Sequence, residues 1–263
     1  MMSWPFVDQA ACPSSTCLTG PAGDGRETAF GWGSSTGLRI VATLSFHERE
    51  EPVGERVRKP HPTTWLNVGA WQERSVANGP GERFVLWLQG CGRRCPGCFN
   101  PEFQPFVRRE RVTSEGVAGK VLRTEGIDGV SFTGGEPMMQ ARGLFELARM
   151  VRARGLSVFC YTGFTLEELQ GSWNPWVLAL LRQVDVLIDG PYEQDQAAAL
   201  RWRGSRNQRV HFLTDRYRSL VGDAQKPLVE MEFIIGDSSL SMTGGLDEAF
   251  VARLQQILRE DPR

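Results

Sequence analysis

Three cysteines stand close together in this sequence, Cys91, Cys95 and Cys98, with the spacing C-x-x-x-C-x-x-C. This spacing places three thiols on one short loop, where their thiolates can hold three corners of a cubane iron–sulfur cluster. Electron-transfer clusters are usually held by four cysteines. A loop with three suggests that one iron is kept open for a substrate or a cofactor.

A structural zinc site is the alternative for the same cysteines, but it needs four closed ligands, usually in paired short spacings. Only Cys12, Cys17 and Cys160 remain as further thiols, and no histidine lies close in sequence. Cys12 and Cys17 could be ligands or free thiols of a loose segment. Cys160 lies in an apolar run and is expected to be a buried strand thiol.

The elements around the loop explain how it could be positioned. The apolar run 84–88 leads into it and predicts a buried strand, and Gly90, Gly92 and Gly97 let the backbone curl after it. Strand-like and helix-like runs then alternate along the chain, which predicts an α/β fold with a mostly parallel sheet. Predicted strands are 64–68 (an edge strand), 84–88, 129–133, 157–161, 184–190 and 228–235. Predicted helices are 113–124, 139–154, 175–183 and 246–260, with a further helix capped by Thr165 and Glu168.

Several polar or glycine-rich turns follow these strands. Gly134-Gly135-Glu136-Pro137 ends one strand, where two glycines allow a ligand to approach the backbone and the carboxylate can accept from an ammonium group. The same residues also suit an ordinary strand-to-helix turn.

Two further strands end in polar residues of the same kind. Thr162 follows one of them. Asp189 ends another, as a candidate ligand contact or simply a turn aspartate before Gly190. Because ligands bind at the carboxyl ends of parallel strands, these turns and the cysteines are expected to share one rim.

The motif around the three cysteines resembles that of the radical S-adenosylmethionine (SAM) superfamily, with the residues Gln89-Gly90-Cys91 through Cys95-Pro96-Gly97-Cys98-Phe99-Asn100. Within it, the chain is most similar to the activating enzymes of glycyl radical enzymes, in the branch that serves anaerobic ribonucleotide reductase. The turn 79–81, the run 161–169 and the segment 201–210 resemble the same branch. By composition alone, 201–210 is a basic surface loop and 79–81 is an ordinary turn.

The resemblance covers residues 64–263 and implies an incomplete, TIM-like β/α barrel. It implies a [4Fe-4S] cluster on three cysteines, whose open iron binds SAM. The superfamily often has an aromatic residue before the third cysteine, where this chain has Gly97, so Phe99 is expected to cover the adenine side. The expected metal ligands are Cys91, Cys95 and Cys98, with no further catalytic residue. The expected cofactor contacts are Gly97, Phe99, Gly134, Gly135, Glu136, Pro137, Thr162 and Asp189.

The chemistry that the resemblance implies is reductive cleavage of SAM to methionine and a 5′-deoxyadenosyl radical. In the family, that radical takes a hydrogen from a glycine Cα of a partner, here expected to be class III ribonucleotide reductase. A flavodoxin- or ferredoxin-type electron donor is implied as well. A radical SAM enzyme acting on a small molecule or peptide, and a non-catalytic zinc or iron–sulfur module, remain as alternatives.

Composition bounds the remaining possibilities. The 263 residues carry a net charge of -1, which favours neither nucleic acid nor membrane as a partner. Without a secretory signal or a long apolar run, and with six clustered cysteines, a reducing cytoplasmic location is expected. Residues 1–62 are rich in loop-forming clusters and predict a poorly ordered extension before a radical SAM domain at 63–263.

Overall fold

A computed structural model of the chain describes residues 63–225, 230–235 and 240–244, together with Arg253 and Gln256. All of them belong to one unit of the chain, Arg58–Arg263. The extension predicted over 1–62, with Cys12 and Cys17, lies outside the described residues. So does the helix predicted over 246–260, apart from Arg253 and Gln256, which are helical.

The described residues form strands and helices that alternate through the middle of the chain. The strands are β1 (Trp65–Ser75), β2 (Arg83–Leu88), β3 (Glu110–Thr113), β4 (Gly129–Gly134), β5 (Ser157–Tyr161), β6 (Val186–Asp189), β7 (Ala197–Leu200), β8 (Arg203–Ser205), β9 (Arg209–Phe212), β10 (Met231–Ile235) and β11 (Leu240–Gly244). The α-helices are α1 (Ser114–Arg123), α2 (Ala141–Arg152), α3 (Leu166–Gln170) and α4 (Pro175–Leu181). Within the described residues, no helix reaches the length and hydrophobicity needed to span a bilayer.

Seven strands form one mixed sheet in the order β3-β1-β2-β4-β5-β6-β9. The four central strands β2, β4, β5 and β6 are parallel, as predicted, but β1, β3 and β9 join antiparallel. The prediction of a mostly parallel sheet is therefore wrong at both flanks. The short turn from β1 to β2 leaves no room for a crossover helix, which a parallel pairing requires. The prediction that 64–68 is an edge strand is wrong too, because β3 covers its outer side.

The two faces of the central sheet differ because successive side chains of a strand point to opposite sides. One face carries the main apolar core, with Leu86, Phe132 and Cys160 packed against the helices. The periodicity predicted for α2 is confirmed, since Leu144 and Leu147 are fully buried in that core. The helices therefore cover one face of the sheet and leave the other to different partners.

The opposite face is more polar and aromatic, with Trp87, Thr133 and Tyr161 bordering a cavity. Two small hairpins contribute to the same cavity. In the hairpin of β7 and β8, the Trp202 ring meets the Phe159 ring edge-on at 5.4 Å. In the hairpin of β10 and β11, Thr243 Oγ1 accepts a hydrogen bond of 2.9 Å from Asn78 Nδ2.

Helix starts follow the expected local signals. Thr113 caps α1 by accepting a hydrogen bond of 2.9 Å from the Gly116 amide. Thr165 and Glu168 form the predicted capping box of α3, with each side chain accepting from the other residue's amide. Because β4 and β5 are parallel neighbours, their carboxyl ends lie at the same edge of the sheet.

Arg83, at the start of β2, is fully buried. Its guanidinium donates to the Ser131 hydroxyl at 2.7 Å, to the Ser157 hydroxyl at 3.0 Å and to the carbonyl oxygens of Pro80 and Val130. Burial lowers the pKa of Arg83 from its ordinary value, because removal from water disfavours the charge. The side chain thereby joins the turn before β2 to strands β4 and β5.

We expect the substitution Arg83→Met to lower the free energy of unfolding by about 3 kcal/mol, because several buried acceptors would lose their donor. Urea unfolding of the cluster-free protein measures this change. Arg154→Met, at an exposed arginine, is the matched control and should shift the free energy by less than about 0.5 kcal/mol. Equal midpoints for the two variants would show that Arg83 does not hold these strands together.

Candidate functional site

The cysteine loop follows β2 and is held to two neighbouring segments by backbone hydrogen bonds. The amides of Gly90 and Cys91 donate to the carbonyl oxygens of Phe103 and Gln104 at 2.8 and 2.9 Å. The carbonyl oxygen of Gly90 accepts from the Glu136 amide at 2.9 Å. Gly90 has φ of +101°, which few residues other than glycine adopt, so the turn out of β2 depends on it.

All three loop cysteines are free thiols, and all three line one cavity on the polar face of the sheet. Cys91 is buried, while Cys95 and Cys98 are half-buried. Burial raises the pKa of the Cys91 thiol, against opposing hydrogen bonds from the amides of Arg93 and Arg94. A bound cation would reverse this balance, because a coordinated thiol is deprotonated.

Among the described residues, no three histidine, cysteine or acidic side chains converge closely enough to hold a single metal ion. In a cubane cluster each cysteine binds a different iron, so its sulfur ligands stand farther apart than those around one ion. Three free thiols around one cavity fit the donor set of such a cluster.

The glycine turn after β4 lies against the cysteine loop. The Gly135 amide donates to the Leu88 carbonyl oxygen at 2.7 Å. A Cβ built on Gly135 would lie 2.4 Å from the Gly90 carbonyl oxygen, and one on Gly134 would lie 2.5 Å from the Leu88 nitrogen. Only glycine permits such close approach of two backbones. Gly134, Gly135 and Glu136 all line the cavity beside the cysteines.

Glu136 joins two of the predicted turns. Its carboxylate accepts from the Met138 amide at 2.9 Å, the Thr162 hydroxyl at 2.9 Å and the Gly163 amide at 2.8 Å. Burial raises the pKa of Glu136, although these hydrogen bonds and the nearby Arg93 oppose that rise. The structure therefore brings Glu136 and Thr162, predicted from separate stretches of sequence, into direct contact at the cavity wall.

Arg93 holds the cysteine loop to the segment after β5. Its guanidinium lies 4.3 Å from the centre of the Phe164 ring and forms an ion pair of 2.6 Å with Glu168. Arg93 also lines the cavity. The loop is thus braced on the β4 side by backbone and on the β5 side by a cation–π contact.

Phe99 lines the cavity directly after the third cysteine. The centre of the Phe99 ring lies 4.7 Å from that of the Tyr192 ring, and a Cβ built on Gly204 would lie 2.4 Å from the Phe99 ring. The segment 201–210, a basic surface loop by composition, instead forms β8 and the start of β9, and Arg203, Gly204 and Gln208 line the cavity. Only the resemblance indicated this role.

Three predicted cofactor contacts lie outside the cavity lining. The Gly97 backbone, with φ of +67°, packs beside the Gln194 side chain, and Pro137, itself buried, begins a 3-10 turn. Asp189 is also turned away, since its carboxylate accepts from the Leu166 amide at 2.6 Å and pairs with Arg209.

Asp189 also has a clear structural role. Burial acts to raise the pKa of Asp189, but the Arg209 guanidinium and the Leu166 amide outweigh it and lower the pKa below its usual range. The two carboxylate oxygens of Asp189 thus accept from Leu166 and Arg209 outside the cavity lining, and its contact to SAM or a cation stays a prediction.

Several residues that line the cavity could not be predicted individually from the sequence. Trp87 and Tyr161 lie at alternate positions of buried strands, and nothing in an apolar run reveals which face is open. Trp202 has φ of +59° and lines the cavity from the turn of the β7–β8 hairpin. Asn78 and Thr243 come from segments far apart in sequence.

Comparisons with known proteins agree with this geometry. The family model of the 4Fe-4S single cluster domain matches residues 77–211. The anaerobic ribonucleoside-triphosphate reductase-activating protein of Vibrio cholerae is 35% identical over 159 residues, which is 57% of this chain and 99% of the relative. Its namesake from Escherichia coli K12 is 30% identical, over 56% of this chain and 99% of the relative.

A phage protein and a solved structure are also similar to this chain. The protein of the same name from Enterobacteria phage T4 is 33% identical, over 52% of this chain and 88% of the relative. Among solved structures, QueE from Escherichia coli is 21% identical with a TM-score of 0.32, covering 40% of this chain and 54% of that chain. So small a structural overlap supports no conclusion about this fold.

Proposed function

Because this chain belongs to the 4Fe-4S single cluster domain family and to the anaerobic ribonucleoside-triphosphate reductase-activating proteins, we propose that it is a radical SAM activating enzyme. Its substrate protein is a glycyl radical enzyme, the anaerobic (class III) ribonucleotide reductase. The product is a radical on a backbone glycine of that partner. The observation that carries the proposal is the meeting of three free thiols and a glycine turn around one cavity.

Cys91, Cys95 and Cys98 would hold three irons of a [4Fe-4S] cluster, leaving the fourth iron for SAM. The remaining described cysteine, Cys160, is buried in the core on the helix-covered face and is not available as a fourth ligand. When bound, the cluster supplies the electron that splits the carbon–sulfur bond of SAM into methionine and a 5′-deoxyadenosyl radical.

The residues of the chain position SAM and keep water away. Peptide groups of Gly134 and Gly135 would hydrogen-bond its methionine end, and the Glu136 carboxylate would accept from its ammonium group. Thr162 holds that carboxylate by a hydrogen bond of 2.9 Å. Phe99, backed by Tyr192, covers the adenine side.

The sheet fits this task as a partial barrel. Its helix-covered face is the outer wall, and the face with Trp87, Thr133 and Tyr161 is the interior. Residues 63–263 form the radical SAM domain on this view. An incomplete barrel, with fewer strands than a closed TIM barrel, leaves an opening through which a loop of the partner protein can reach the cavity. The electron donor is a flavodoxin- or ferredoxin-type protein.

The experiment mixes the reconstituted protein with SAM, dithionite and anaerobic ribonucleotide reductase, and records electron paramagnetic resonance spectra. We expect the spectrum to show the doublet of a glycyl radical in the reductase. The matched control is a reductase variant with alanine at the radical glycine, which should give no doublet. SAM cleavage without any doublet would contradict the activating function and favour a small-molecule or peptide substrate.

A further inference from the structure

An exposed surface beside the cysteine loop combines apolar and cationic side chains. Phe106, Val107 and Met139 are 60, 45 and 52% exposed, and apolar side chains exposed together can mark a protein-binding surface. The exposed cations Arg108 and Arg109 directly follow Val107 in sequence, and the exposed Arg94 lies in the cysteine loop. We call these six residues the docking face.

The docking face touches the backbone on both sides of a predicted cluster ligand. The Phe106 ring packs on Gly90, where a Cβ would lie 2.9 Å from it, and Met139 Sδ would lie 3.9 Å from a Cβ on Gly92. Cys91 stands between these two glycines. A protein bound here would therefore lie close to the Cys91 corner of the cluster.

The charge of the docking face is unbalanced. None of its three arginines forms an ion pair with another side chain in the part of the chain that the structure describes. Two exposed glutamates, Glu102 and Glu110, lie in the same stretch and reduce the excess of positive charge without removing it. Since the whole chain has a net charge of -1, this positive charge is local.

The cavity and the docking face are separate. No residue of the docking face lines the cavity, which is bordered by all three cysteines and by Phe99. The radical forms where SAM lies, so the target glycine must enter the cavity. A protein that delivers electrons needs only to approach the cluster. The target protein and the electron-delivering protein could then bind at different surfaces.

We propose that the docking face binds an acidic one-electron carrier protein, which reduces the cluster through its Cys91 corner. This inference rests on the proposed function, which requires a reductant. One electron leaves the carrier and enters the cluster, with no bond made or broken. Apolar contacts ringed by complementary charge suit such brief encounters, whose interfaces are small.

The test compares wild-type holoenzyme with the double variant Arg108→Glu/Arg109→Glu. Oxidised flavodoxin, an acidic carrier, serves as the probe in isothermal titration at low ionic strength. We expect its dissociation constant to rise about tenfold in the double variant, and the wild-type affinity to fall as salt is added. Val107→Ser, which leaves the charges unchanged, should weaken binding about threefold through its apolar contact.

The matched control is Arg123→Glu/Arg154→Glu, which makes the same change of charge at two exposed arginines, one at the end of α1 and one just after α2. Those helix ends precede the strands and so lie at the far end of the sheet from the cysteine loop. We expect this control to bind flavodoxin within about twofold of wild type.

Rates of SAM cleavage separate this inference from the proposed function. With reduced flavodoxin, the Arg108→Glu/Arg109→Glu variant should be about tenfold slower than wild type, and with dithionite it should equal wild type. If wild type fails with dithionite, the proposed function fails. The inference alone is overturned if wild type does not bind flavodoxin, or if the variant binds it normally. It is also overturned if the variant loses only activation of the reductase, which would assign the docking face to that partner.

Discussion

Replacing Cys95 with alanine is expected to abolish release of 5′-deoxyadenosine from SAM. Cys95 is one of three thiols around the cavity, and two remaining ligands cannot hold a cubane cluster in place. Iron content after anaerobic reconstitution and chromatography of the nucleoside product measure the loss. Release at the wild-type rate by this variant would remove the cluster assignment.

Cys160→Ala is the matched control for the same chemical change. Cys160 is fully buried in the core between β5 and the helices, and burial holds its pKa well above the usual range. We expect this variant to keep its iron and its rate of SAM cleavage, at a cost in stability of about 1 kcal/mol. Loss of iron in this control would indicate that Cys160 is a ligand after all.

The substitution Gly135→Ala should lower the rate of SAM cleavage about a hundredfold, because displacement of a positioning turn by an ångström has effects of that size. A Cβ there would lie 2.4 Å from the Gly90 carbonyl oxygen and 2.8 Å from that of Phe103, both backbone atoms. The cysteine loop or the glycine turn must then move. Steady-state kinetics with dithionite and equilibrium dialysis of SAM measure the effect.

Gly222→Ala provides the control for Gly135→Ala. A Cβ on Gly222 would meet nothing within 4 Å, and its backbone does not lie in the left-handed region. We expect its rate and its SAM affinity to stay within about twofold of wild type. Similar kinetics for the two alanine variants would show that the close packing of turn and loop does not position SAM.

Much of the site could be predicted because its signals are local. The C-x-x-x-C-x-x-C spacing, the glycine pair at 134–135 and the capping box of Thr165 and Glu168 each need only a few neighbouring residues. The alternation of strands and helices then placed the carboxyl ends of β4 and β5 at one rim. The contact between Glu136 and Thr162, at 2.9 Å, is the result of that placement.

What could not be predicted depends on pairings between distant segments. The antiparallel strand β3 pairs with β1 across the cysteine loop, and β9 pairs with β6 after an intervening hairpin. A three-residue strand such as β8, in an arginine-rich stretch, carries too little hydrophobic pattern to identify. For the same reason, the sequence did not indicate that Arg209 lies beside Asp189 and donates to its carboxylate.

The central claim is that three cysteines leave one iron of the cluster open, and that SAM occupies it. Electron–nuclear double resonance of the reduced cluster with SAM labelled in its amino and carboxylate groups tests this claim most directly. We predict hyperfine coupling of the cluster to both labelled groups in the wild-type protein. A cluster that forms but shows no coupling to either group would contradict the account.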